Sequence, residues 1–97
     1  MTETLTPPKE RARLGGGSGL GEAWRVIVLN DDHNTFEGVA FALSRTLPGV
    51  SYEQGLRLAD RIHNQGQALV WSGPREPAEL YWEQLQGFGL TMAPLER

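Results

Sequence analysis

The chain has 97 residues, with 9 Lys or Arg against 12 Asp or Glu, a formal charge of −3 and a pI near 5.3. That length holds one small domain with a modest core, and an acidic balance without a Lys/Arg stripe argues against a nucleic-acid partner. The absence of cysteine removes disulfides and thiolate zinc sites. No apolar run approaches the roughly 18 residues of a membrane span and the start has no apolar signal core, so a cytoplasmic protein with no membrane partner is expected.

Residues 1–22, "MTETLTPPKERARLGGGSGLGE", have two adjacent prolines, five glycines between positions 15 and 21, and few bulky apolar groups. This composition predicts a flexible tail and linker, with the folded domain over residues 23–97. Order is expected to begin at "WRVIVLN", a strand apolar on most of both faces: Trp24, Val26 and Val28 on one, Ile27 and Leu29 on the other. Thr35 is placed to cap a first helix, with Glu37 in its first turn. Phe36, Val39, Ala40, Leu43 and Leu47 follow helical spacing, and Pro48 stops the helix at about Leu47.

Ser51 and Gln54 make a capping-box pattern for a second helix. It carries Leu56, Ala59 and Ile62 and ends near Gly66. "QALVW" (67–71) is the second strand. After "SGPREP", Pro77 suits the first turn of a third helix that runs to about Gln86. "GLTMAPLE" is the last strand, at an edge because Pro94 has no N–H to donate. The order is β-α-α-β-α-β. It predicts an α+β domain, a three-stranded, mainly antiparallel sheet with three helices on one face.

The chemistry lies in "VLNDDHNTFEGV", where the first strand runs out into Asn30, Asp31, Asp32, His33 and Asn34. Asp31, Asp32 and His33 could ligate a metal, but no EF-hand register puts glycine at the sixth position and there is no HExxH. A metal-dependent hydrolase built on these three residues stays as a rival. Acid–base catalysis has its raw materials, but no GxSxG and no phosphate-cradling glycine loop accompanies them. Asx residues after a strand also make turns and caps through nearby backbone N–H groups. Against that simplest reading, one cap needs one carboxylate, and here two adjacent ones precede the apolar Phe36 and Val39.

"VLNDDHNTFEGV", with "IHNQGQALV" from Ile62, resembles the ClpS family, bacterial adaptors that deliver N-degron substrates to a Clp unfoldase and protease. The resemblance covers residues 23–97. It implies a non-enzymatic, monomeric adaptor without cofactor or metal, whose partners are a ClpA- or ClpC-like AAA+ unfoldase and proteins that begin with Phe, Tyr, Trp or Leu. It places the α-amino contacts at Asn30, Asp31 and His63. It places the pocket wall at Leu29, Asp32, Asn34, Phe36, Val39, Ala59 and Ile62, with Thr91 or Met92 from the last strand. The chemistry suits the role, since an ammonium offers three donors and needs an Asn carbonyl, a carboxylate and an unprotonated His nitrogen.

Two departures from the family pattern stand out. Phe36 occupies a position usually held by Met, and Ala59 another that is often Met. Unfoldase docking maps onto Glu76, and Tyr81 stands where the family has a lysine. The second rival is a domain of the same fold, as in ribosomal stalk proteins, without N-degron activity. It leaves the LNDD run and His63 unexplained.

Overall fold

The computed structural model describes residues 23–97; the tail expected over residues 1–22 lies outside the described residues. β1 (Trp24–Leu29), α1 (Phe36–Thr46), α2 (Tyr52–Gln65), β2 (Gln67–Gly73), α3 (Arg75–Gly87) and β3 (Thr91–Met92) follow one another in the expected order. β1 is the central strand of a three-stranded sheet, antiparallel to β2 on one side and to β3 on the other.

The sheet buries one face. Val26 and Val28 of β1 are fully buried, and one core unites them with Val39, Ala42 and Leu43 of α1, Ala59 and Ile62 of α2, and Ala78 and Leu85 of α3. The three helices therefore cover the same side. β1 is apolar on both faces, yet Ile27 and Leu29 stay partly exposed, and Leu69, which pairs with Ile27, is about half exposed. Three helices are enough to cover one face of so small a sheet, and none is left for the other.

Local signals set the helix ends. Thr35 takes extended backbone and its hydroxyl accepts from Gly38 N–H, while α1 stops before Leu47 and Pro48. Ser51 and Gln54 close a reciprocal capping box on α2. Gly66 ends that helix at φ 88°, a left-handed conformation that costs glycine little. α3 begins at Arg75, and Pro77 sits within its first turn, where a missing N–H costs nothing.

Both outer strands differ in length from expectation. β2 extends to Gly73 because a bulge opposite Val26 and Ile27 lets pairing resume at Trp71. β3 is only two residues long, followed by an Ala93 N–H bond to Ile27 O and a bridge between Arg25 and Glu96. Pro94 interrupts the ladder between them, as an edge proline must.

α1 and α2 approach closely at Gly55. A Cβ there would lie 2.7 Å from the carbonyl oxygen of Ala40, so only glycine allows this spacing.

Candidate functional site

The site forms where β1 gives way to the loop before α1. Asn30 N–H donates to Gly66 O at 2.9 Å, tying the loop to the C-cap of α2. Asp31 then organises everything around it. Its Oδ1 accepts the backbone N–H groups of His33 (3.1 Å) and Asn34 (2.8 Å). Its Oδ2 accepts Asn34 Nδ2 and the Thr91 hydroxyl, both at 2.8 Å. Asn34 Nδ2 also donates to Gly89 O at 2.9 Å, which ties the α3–β3 turn to the same loop.

A carboxylate offers about four lone-pair positions, and all four of Asp31 are occupied. Burial alone would push this carboxyl up, but the bonds from Asn34, Thr91 and His33 outweigh it and hold the group well below the usual carboxylate range. Asp32 is the opposite case. Its side chain is fully exposed, and no hydrogen bond to it occurs among the described residues. The two adjacent carboxylates have divided the work: one folds the loop, the other faces water.

His33 Nδ1 stands 3.7 Å from Asp31 Oδ1 and 3.9 Å from Asp32 Oδ1, too far for hydrogen bonds. Among the described residues no three His, Asp or Glu side chains converge as a metal-ligand set.

Beside this loop lies a cavity of about 250 Å³. β1 lends it Val28 and Leu29, α1 lends Phe36 and Val39, α2 lends Ala59 and Ile62, and Leu90 comes from the turn before β3. Helix geometry accounts for the gathering, because residues three and four apart share a face. Phe36 and Val39 are so spaced on α1. On α2, Ala59, Ile62 and His63 bring two wall residues and the imidazole to the same side. Asn30, Asp31, Asp32, Asn34, Thr35 and His63 make the polar border. His63 is exposed, and its ring meets Phe36 edge-on, with centroids 5.2 Å apart.

Ten of the residues expected at the site, Leu29, Asn30, Asp31, Asp32, Asn34, Phe36, Val39, Ala59, Ile62 and His63, line this one cavity. Thr91 joins through its bond to Asp31 rather than as wall. Met92 is not part of the wall: opposite Val28 in the ladder it packs against the core, and it lines a separate concavity with Glu79 and Trp82. Val28, Thr35 and Leu90 were not anticipated. Thr35 could have been found from its place beside Phe36. Leu90 could not, because it arrives through the turn at Gly89, whose φ is 95°.

Glu76 is exposed in the first turn of α3. Tyr81 instead packs edge-on against Trp71 with centroids 4.9 Å apart. Five positions separate them, which is about 140° around the helix, so they do not form one patch.

Residues 21–93 match the family model described as "ATP-dependent Clp protease adaptor protein ClpS". The chain belongs to the ClpS family. ClpS proteins are adaptors of the ATP-dependent Clp protease and not enzymes. The ClpS adapter of Nostoc sp. is 55% identical over 73 residues, which are 75% of each chain. That of Thermosynechococcus vestitus is 53% identical over 73 residues, covering 75% of this chain and 78% of the relative. Among solved structures, Agrobacterium tumefaciens ClpS2 bound to L-phenylalaninamide superposes with a TM-score of 0.71 at 26% identity, over 77% of this chain and 95% of that one. No helix among the described residues is long and apolar enough to cross a membrane.

Proposed function

We propose that this chain holds the N-terminal residue of a substrate protein and hands that protein to a Clp unfoldase. The observation that carries the reading is the pairing of an apolar cavity with a rim of acceptors whose side chains make no hydrogen bond among the described residues: Asn30, Asp32 and His63. A free N-terminus has the matching chemistry, a cationic three-donor group on the same carbon as a side chain. The ligand of Agrobacterium ClpS2, L-phenylalaninamide, carries the same two features, an amino group and a phenyl ring, which supports the reading.

Within this proposal the two aspartates have different tasks. Asp32 supplies the carboxylate that meets the ammonium. Asp31, whose lone pairs are committed, contributes its charge and the loop geometry that presents Asn30 and Asp32. His63 accepts through an unprotonated nitrogen. Hydrogen bonds to a charged group contribute about 1.5–3 kcal/mol each. Burying a Phe- or Leu-sized side chain against Val39, Ala59, Ile62 and Leu90 contributes about 1.5–3 kcal/mol more. Two or three such bonds and one buried side chain reach the ~8 kcal/mol of a micromolar complex. Unfoldase docking is assigned to the face that carries Glu76, and the tail at residues 1–22 to delivery.

The test is fluorescence anisotropy with labelled peptides that differ only in the first residue. Peptides starting with Phe, Tyr, Trp or Leu are expected to bind, and their acetylated forms, which lack the charge and two donors, to bind far more weakly. Equal affinity of free and acetylated peptides would overturn the assignment of the rim.

A further inference from the structure

His63 presents an unusual problem for a hydrogen-bond acceptor. A histidine that must accept at one nitrogen is normally fixed by a hydrogen bond at the other, which sets both tautomer and ring angle. Here the ring is exposed, and no hydrogen bond or ion pair to either nitrogen occurs among the described residues. Its nearest ring contact is Phe36, at 5.2 Å between centroids and 63° between planes. That geometry is the edge-to-face arrangement aromatic pairs prefer.

The backbone of Phe36 is fixed, because it is the first residue of α1, directly after the Thr35 cap whose hydroxyl accepts from Gly38 N–H. Its ring is 39% exposed and lies at the cavity edge beside His63.

We propose that Phe36 is the positioning residue of His63: its ring holds the imidazole at the angle from which it accepts from the substrate ammonium. The inference rests on the functional reading above and deepens it. One side chain then serves both halves of recognition, as cavity wall for the substrate side chain and as brace for the group that reads the amine. Leu or Met at position 36 would keep an apolar wall but lose the flat ring that restrains the imidazole. Tyr would keep both.

A double-mutant cycle on Phe36 and His63 tests it, read with two probes: a peptide with N-terminal Phe, and the same peptide with the α-amino group replaced by hydrogen. Phe36→Leu is expected to weaken the free-amine peptide several-fold more than the deaminated one. In a His63→Ala background that excess should vanish, and Phe36→Tyr should restore affinity. If Phe36→Leu weakens both probes equally, or if its effect is the same with and without His63, Phe36 is a wall and nothing more.

The second measurement needs no ligand. In the peptide-free protein, the ring protons of His63 should carry a ring-current shift that confirms the Phe36 contact, and in Phe36→Leu the Hα–Hβ couplings of His63 should move toward rotamer averaging. Unchanged Hα–Hβ couplings in Phe36→Leu would overturn the proposal even if the peptide cycle were non-additive. If the unaltered protein bound no free-amine peptide, the functional reading would fall, while the NMR comparison would still decide whether Phe36 holds the ring.

Discussion

Asp31→Asn exchanges one carboxylate oxygen for an amide and removes the charge. The remaining oxygen can still accept from the N–H groups of His33 and Asn34. The new NH₂ then faces Asn34 Nδ2, donor against donor. Asn34 cannot escape by turning its own amide over, because its nitrogen also donates to Gly89 O and the flip would set oxygen against that carbonyl. Thr91 can reverse its hydroxyl and accept. The net loss is one hydrogen bond to a charged group in a half-buried setting, about 1.5–3 kcal/mol. Taking about 2 kcal/mol, a domain of this size should melt roughly 8–16 °C lower.

The sign of the pH dependence follows from the depressed carboxyl of Asp31. Its stabilising contribution is fully present above the ordinary Asp value of about 3.9 and is lost as pH falls through the lower folded value. The gap between the unaltered protein and Asp31→Asn should therefore be widest at neutral pH and should shrink in strong acid. Circular-dichroism melts at about pH 7 and about pH 3 measure it. Asp32→Asn is the control, since its exposed side chain carries no fold-forming bond; it should melt normally and weaken peptide binding. A normal melting temperature for Asp31→Asn at neutral pH, or equal destabilisation by both variants, would refute the division of labour between the two aspartates.

His63→Ala should weaken free-amine peptides by about 1–3 kcal/mol, the loss of one hydrogen bond to a charged group, with little change in melting temperature because the side chain is exposed; anisotropy and a thermal melt check both. Gly55→Ala should destabilise by about 1–3 kcal/mol through overpacking against the Ala40 backbone, in spite of the roughly 1 kcal/mol that alanine gains in a helix; a more stable protein in a urea titration would show that α1 and α2 can part at no cost. Deleting residues 1–20 should leave melting temperature and peptide affinity unchanged but slow degradation of an N-degron substrate by the cognate Clp machine, measured as substrate loss over time with purified protease.

The sequence by itself determined the elements and most of the chemistry. Thr35, the Ser51–Gln54 box, Pro48 and Gly66 mark helix ends through bonds and sterics that span only a few residues, so they are legible without a fold. The periodic spacing of Phe36 and Val39, and of Ala59, Ile62 and His63, likewise fixes which side chains share a face. The motif pair around Asn30 and His63 named the family because both stretches are short and local. Only the tertiary structure decided which of two adjacent aspartates is committed and which is free. That choice depends on Thr91 and on Asn34 held against Gly89, partners as many as 60 positions away in the chain. It also decided that Leu90 enters the cavity while Met92 lines a separate concavity beside Glu79 and Trp82 of α3, contacts between elements that the local sequence does not specify. Tyr81 turned inward for the same kind of reason: its position on α3 faces Trp71 of β2, and the pairing of a helix face with a particular strand is a property of packing that no local pattern encodes.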